Sequence, residues 1–388
     1  MRRAPKARSR PRVIYWNNIP APYMVERFNA VVRRGNVDLE AWFGARTEPD
    51  RSWAIDESTW RFPYRYLPRV GIGRYKLSLP TSVLTARHPD LLVSLYATPS
   101  FLIGLRVAWW RRWRTALWVE VTFDSWIRRR RWKDALKRAV FQRVDGIITA
   151  GQDGRAFATR YGVSSGGVHI ARHVVDSEYF ATEAATARAT RDSIRADLGI
   201  SGVVFVYVGR LWWVKGTRPL LAAYAALDRE LPGRTSLLLV GHGPDEARIA
   251  EIARAQGLNV KLAGFHQRVD LPRLYAAGDG FVFPSLGDTY GLVVDEAMAT
   301  GLPVISSTAV GEIRERVVDG VNGYLVAPND PEALTAAMRR LVVDPALRHQ
   351  MGARSAEMIA PYTPDRWAEA FERAVEGILS PRRNGSPS

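Results

Sequence analysis

Three carboxylates surround one short apolar run in "DTYGLVVDEAMATG", which extends from Asp288 to Gly301. Asp288 and Glu296 have seven residues between them, and Asp295 sits beside the second. "GFVFPS" reads as a strand, "LGDTY" as a loop, and "GLVVDEAMAT" as a helix closed by Gly301. Asp288 then stands at the carboxyl end of a strand, just before a helix, with Glu296 one to two turns inside that helix. The unpaired amides near Gly291 and Leu292, reinforced by the helix dipole, form an anion site. A carboxylate one or two turns further on can accept hydrogen bonds from a ribose. Taken alone, Asp288 also reads as a helix cap, and Asp295 is expected to be a solvated acid.

A second group of residues suits the same ligand chemistry. "VVFVYV" is followed by "GRLWWVKGTRPLL", where Gly209 ends a strand and Arg210 and Lys215 precede Gly216 and a helical pattern. An arginine contacts two phosphate oxygens at once and a lysine supplies a compact charge, so this loop suits a diphosphate. Two solvated cations in a surface turn would look the same. The loop is neither a Walker motif nor GxGxxG. In "VGHGPDEARI", Gly241 and Gly243 flank His242, and Pro244 suits a first helical turn. These glycines permit a tight turn that either approaches a ligand or holds none.

Parallel sheets are the elements that must position these residues. Continuous apolar runs alternate with amphipathic helical patterns along the chain, as expected for strands covered on both faces. In the first half the runs are 12–16, 39–43, 90–96, 115–121, 146–150 and 167–171; in the second they are 203–208, 236–240, 260–264, 280–284, 303–307 and 324–328. The expected fold is α/β, with two Rossmann-like doubly wound domains facing across a cleft. At 388 residues the chain exceeds one ordinary core. Residues 1–11 are expected to be a basic disordered arm, 12–180 an N-terminal domain and 181–365 a C-terminal domain. A C-terminal helix over 366–380 can pack back on the N-terminal domain, and 381–388 form a tail. The segment "TEAATARATRDSIRADLG" reads as a charged helix or linker.

Composition excludes several chemistries. Cysteine is absent, which removes disulfides, thiolate zinc sites and a cysteine nucleophile. The basic start "MRRAPKARSRPR" lacks the apolar segment of a signal peptide. The most apolar stretch, Leu91 to Trp110, contains Pro99 and Arg106; a central arginine costs about 2.5–3.5 kcal/mol on insertion, so spanning is disfavoured. The net charge is +16, and Trp109, Trp110, Trp113, Trp126 and Trp132 lie among clustered arginines and lysines. Basic residues beside interfacial aromatics suit an anionic membrane surface. The alternative is a nucleic-acid binder, for which no recognition motif is present.

The segments "VGRLWWVKG", "LLLVGHGPDEARI", "VKLAGF", "LPRLYAAGDGFVFPSLGDTYGLVVDEAMATGLPVISS" and "VVDGVNGYLVAPNDPEAL" follow one another in this order over about residues 203–335. In this order they resemble retaining glycosyltransferases of family 4, which have the GT-B fold. The first half resembles that family through "ALKRAVFQRVDGIITAGQDGRAFATRYGV" and "VHIARHVVDSEYF". The resemblance implies an EC 2.4 hexosyl- or pentosyltransferase with a nucleoside-diphosphate sugar as donor and an acceptor in the N-terminal domain. It implies retention of anomeric configuration, with no required metal or other cofactor. Arg210 and Lys215 would contact the diphosphate, Glu296 the ribose hydroxyls and Asp288 the donor sugar. Gly291 and Leu292 would present backbone to the phosphate, and the loop containing Phe265 and His266 would lie near the base. Gly209, Gly243 and Tyr290 complete the donor-binding set, and Glu120 joins Asp288, Arg210 and Lys215 in the catalytic set.

Three departures stand out. The first acid of the family's E-x7-E pattern is Asp288, one methylene shorter than the usual glutamate. The loop after the first strand lacks glycine. No histidine follows the strand in "LWVEVTFD", where Glu120 or Asp124 stands instead. The expected partners are a nucleotide sugar, a lipid-linked or envelope glycan and an anionic membrane, with no nucleic acid. The expected location is cytoplasmic, on the inner face of the membrane.

Overall fold

The computed structural model describes residues 10–48, 53–72, 75–78, 81–95, 98–120 and 131–380. They form two compact units. One holds the residues up to Glu120, those from 131 to Arg172 and those from Pro364 on; the other runs from His173 to Thr363. The expected arm and tail, Trp126 and Asp124 lie, wholly or nearly so, outside the described residues.

The first unit is built on β1 (Arg12–Asn17), β2 (Asp38–Phe43), β3 (Tyr64–Tyr66), β6 (Leu91–Ser94), β7 (Thr115–Val119), β8 (Gly146–Thr149) and β9 (Val168–Ile170). A separate antiparallel hairpin joins β4 (Arg69–Ile72) to β5 (Tyr75–Ser78). The large sheet is parallel, in the order β3-β2-β1-β6-β7-β8-β9. Apolar side chains on both faces explain the continuous runs: Leu91, Leu92 and Val93 are fully buried, as are Ala116 and Leu117. The stretch Leu91–Trp110 is therefore a short strand followed by the Pro99–Trp110 helix. No helix among the described residues is long and apolar enough to cross a membrane. The last helix, Pro364–Leu379, packs on the Pro22–Arg34 helix. Its Trp367 ring stacks on Phe371 and lies 6.1 Å from Phe28, and Glu372 pairs with Arg34 at 3.0 Å.

The second unit carries β10 (Val203–Val208), β11 (Thr235–Val240), β12 (Val260–Gly264), β13 (Gly280–Phe283), β14 (Val304–Ser307) and β15 (Gly323–Val326). They form a parallel sheet in the order β12-β11-β10-β13-β14-β15. The doubly wound α/β expectation holds for both units, and the observed strands fall within a few residues of the predicted runs. The boundary between units differs from the expected 180: it falls at Arg172, because the Ser177–Arg188 helix belongs to the second core, with Phe180 buried 6.1 Å from Tyr275. The segment read as helix or linker is two helices, Ser177–Arg188 and Arg191–Leu198. The second helix is tied to the sheet by one carboxylate. Asp279 takes Arg191 at 2.8 Å, Arg195 at 2.6 Å and the Val204 amide at 2.8 Å.

Candidate active site

The second sheet reverses its winding at β10, which has β11 on one side and β13 on the other. Ligands in such sheets bind beyond the carboxyl ends of the strands at this point. The loops that leave β10 and β13 there are laced together. Val214 accepts hydrogen bonds at its carbonyl from the Leu286 amide (2.8 Å) and the Ser285 hydroxyl (3.3 Å). Gly216 has φ +78°, and a Cβ on it would lie 2.0 Å from the Pro284 carbonyl oxygen, so only glycine allows this approach. The buried Tyr207 hydroxyl donates to the Arg210 carbonyl at 2.9 Å and fixes the start of the first loop. Burial pushes the Tyr207 phenol well above its ordinary pKa, with the charges of Asp288 and Asp245 adding to it, so it stays a neutral donor. Nothing in the sequence pattern marked this tyrosine beyond its place at the end of a strand.

Lys215 and Asp288 meet where these loops meet. Lys215 Nζ donates to Asp288 Oδ2 at 2.6 Å, with side chains 25% and 15% exposed. Asp288 Oδ1 accepts the amides of Tyr290 (3.1 Å) and Gly291 (3.0 Å). Asp288 is thus both the loop cap and the lysine's ion-pair partner. The Gly291 amide donates to Asp288, whereas the Leu292 and Val293 amides donate to no acceptor among the described residues. These two open the Leu292–Ala299 helix and are the N–H groups left for an anion. Arg210, on the same loop as Lys215, is exposed, and its guanidinium lies 5.3 Å from the Trp212 ring centre.

Asp295 corrects an expectation. It is fully buried rather than solvated, and it pairs with Arg316 at 2.8 Å. The helix turns its face inward at this position, and a carboxylate can be buried there only because the guanidinium meets it. Burial alone would lower the Arg316 pKa, but Asp295 and the neighbouring acidic groups hold it above its ordinary value. The adjacent Glu296 points elsewhere. It is half-buried and accepts the Tyr275 hydroxyl at 2.8 Å. Burial, then the Glu296 charge, raises the Tyr275 pKa well above the usual value, so the phenol remains a donor that orients the carboxylate.

The remaining predicted residues are distributed as follows. Gly209 follows β10 with φ +156°, and its amide donates to Val240. Gly243 packs so closely that a Cβ would lie 2.1 Å from the Leu211 carbonyl oxygen, which is a structural reason for glycine there. Phe265 stacks against His242 at 6.1 Å, and His266 Nε2 lies 3.1 Å from the Ala263 carbonyl oxygen, both beyond the end of β12. Tyr290 is buried and donates to the His173 carbonyl at 2.9 Å; its ring meets the His173 ring edge-on at 5.0 Å. Tyr290 therefore anchors the loop from inside. Glu120 belongs to the first unit, follows β7 and accepts the Trp118 indole N–H at 3.0 Å. Among the described residues no cluster of three or more His, Asp or Glu side chains converges as a metal set.

The two doubly wound units define the chain as an α/β protein of the GT-B fold. It is similar over 94% of its length to Anabaena Alr3699/HepE in complex with UDP and glucose, of which 99% is covered, with a TM-score of 0.75 and 18% identity. Residues 190–358 match the family model for glycosyl transferases group 1. The chain is 34% identical over 197 residues to the D-inositol 3-phosphate glycosyltransferase of Corynebacterium diphtheriae, covering 48% of this chain and 45% of that protein. It is 36% identical over 147 residues to the glycogen synthase of Mycobacterium tuberculosis, covering 36% of this chain and 34% of that one. The chain thus spans about half the length, or less, of the curated relatives it matches.

Proposed function

We propose that this protein is a retaining glycosyltransferase that moves a hexose or pentose from a nucleoside-diphosphate sugar to an acceptor. The observation that carries this reading is the meeting of Lys215, Asp288 and the free Leu292 and Val293 amides at the winding reversal of the second sheet. The diphosphate lies against Arg210, Lys215 and the helix start, and Glu296, oriented by Tyr275, holds the ribose. When the bond from the sugar's anomeric carbon to the β-phosphate oxygen breaks, negative charge gathers on that phosphate. The fixed cations and amides stabilise it. The acceptor oxygen attacks the anomeric carbon on the face the phosphate leaves, and its proton passes to the departing phosphate oxygen. The relatives support this reading, since the neighbour with the same fold is described with UDP and glucose.

For the acceptor we favour a lipid-linked or envelope glycan, reached from the cytoplasmic face of an anionic membrane. What supports it is the net charge of +16 together with exposed Trp110 and Trp132 in the first unit. No metal or other cofactor is assigned a role. The test is a thermal-shift screen with UDP, GDP, ADP and their sugars against single- and double-stranded oligonucleotides. A ligand at 100 times its Kd adds about 2.7 kcal/mol of stability. A shift with one nucleotide family and not with oligonucleotides is expected and identifies the base; the reverse result overturns the reading in favour of a nucleic-acid binder.

A further inference from the structure

Arg316 is fully buried, 1% exposed at its side chain, and no feature of the sequence pattern singled it out. Its guanidinium gathers the backbone around the start of the Leu292–Ala299 helix. One terminal nitrogen donates to the Gly291 carbonyl at 3.2 Å and to Asp295 at 2.8 Å. The other donates to the carbonyl of Tyr290 and, at 3.0 Å, to that of Gly311. The same guanidinium lies 3.9 Å from the centre of the Tyr290 ring. Gly311 is in turn bound to the loop, its amide donating to the Asp288 carbonyl at 3.0 Å.

We propose that Arg316 is a positioning residue of the donor site: it sets the path of residues 288–291, and through them the aim of the Leu292 and Val293 amides and the placing of Asp288 beside Lys215. The inference rests on the donor-site reading given above. The geometry is specific to a guanidinium. Only a planar fork with several donors reaches three carbonyls and a carboxylate at once, and a lysine ammonium cannot. Three carbonyls are held by Arg316 while the amides of the same residues, Tyr290, Gly291 and Gly311, donate to Asp288, so the loop is fixed from both sides and the next amides, those of Leu292 and Val293, follow from its path. Asp295 acts differently, since an ionised carboxylate has no hydrogen to donate to a carbonyl and balances the buried charge of Arg316 instead. Loop path and charge balance are therefore separable by mutation.

The experiment compares Arg316→Lys, Asp295→Asn and the double variant Asp295→Leu with Arg316→Met, measuring melting temperature and the Kd for UDP, GDP and ADP well below each melting point. Both single variants are expected to lower the melting temperature. Nucleotide affinity should fall by about tenfold or more in Arg316→Lys, as a displaced binding group loses contact, while staying within about threefold in Asp295→Asn. The double variant removes both buried charges and should recover stability without recovering affinity. Affinity that simply follows melting temperature across the variants would overturn the proposal and leave Arg316 a stability element only. Failure of the unmutated protein to bind any of the three nucleotides would instead overturn the donor-site reading on which the proposal stands.

Discussion

At the scale of single residues, the site is defined by which acid holds which partner. Asp288 carries a cap and an ion pair together, so its two oxygens can be separated by substitution. Asp288→Asn keeps an oxygen for the Tyr290 and Gly291 amides but gives up the charge that places Lys215. Turnover is expected to fall while nucleoside-diphosphate affinity stays within several-fold, because a negative neighbour of the diphosphate is removed at the same time. Lys215→Ala removes a cation from the leaving phosphate, and turnover should drop by ~10²-fold or more, with weaker nucleotide binding as well. Steady-state kinetics beside calorimetric titration with the nucleotide separates the two patterns; unchanged turnover in Lys215→Ala would refute its role. Tyr275→Phe gives a milder case. It removes the donor that orients Glu296 and should cost about 1 kcal/mol of stability, with a rise in donor KM larger than the loss in kcat. A kcat loss alone would show that Glu296 does not act in binding.

At the scale of elements, the loops after β10 and β13 work as one piece because Gly216 lets their backbones touch. Gly216→Ala places a methyl group against the Pro284 carbonyl at a left-handed φ, and overpacking of this kind costs about 1–3 kcal/mol. The expected result is a lower melting temperature and weaker nucleotide binding together; unaltered binding would mean the loops need not touch. Asp279 fixes the Arg191–Leu198 helix to the starts of β10 and β13. Burial alone would raise its pKa, but the Val204 amide and the two arginines outweigh that and hold it below the ordinary carboxylate value. A depressed folded pKa means the stabilisation is present above the unfolded value, about 3.9, and is lost as pH falls through the lower folded value. The destabilisation by Asp279→Asn should therefore be full at neutral pH and shrink below about pH 4; a constant difference between pH 3 and 7 would contradict this. The parallel strands were legible because burial on both faces makes them uniformly apolar. β3 and the β4–β5 hairpin were not, since short strands such as "YRY" and "YKLS" carry charge and no apolar run. In the site, the spacing of Asp288 and Glu296 and the cations after β10 could be read directly. The contrast between Asp295 and Glu296 could not: adjacent helix positions differ by about 100° in direction, and only the fold brings Arg316, 21 residues away, to the inward one.

At the scale of the whole molecule, the +16 charge favours a partner of opposite sign, and the proposed membrane contact makes a prediction about particular side chains. Four of the five tryptophans grouped by sequence lie among the described residues; of these, Trp113 is buried beneath the Arg111 guanidinium, and Trp109 donates its indole N–H to Thr115. Trp110 and Trp132 remain, 76% and 62% exposed. Trp110 shares one face of the Pro99–Trp110 helix with exposed Ile103 and Arg106, and Trp132 shares a face of the Arg131–Arg143 helix with exposed Leu136. Arg143 lies 4.9 Å from the Trp109 ring centre and joins the two helices. Exposed large apolar side chains beside exposed cations match an anionic lipid surface better than a duplex, whose phosphates call for cations without indoles. Three basic side chains at such a surface, each worth about 1 kcal/mol, would strengthen binding by roughly two orders of magnitude. Co-sedimentation with phosphatidylglycerol-containing vesicles, set against phosphatidylcholine alone, tests this. Binding is expected only with the anionic lipid, weakening as salt shortens the screening length, and falling several-fold further in the Trp110→Ala, Trp132→Ala double variant. Equal absence of binding to both vesicles would remove the membrane from the reading and leave the charge to serve the acceptor itself, and binding indifferent to the two tryptophans would refute their place in the contact.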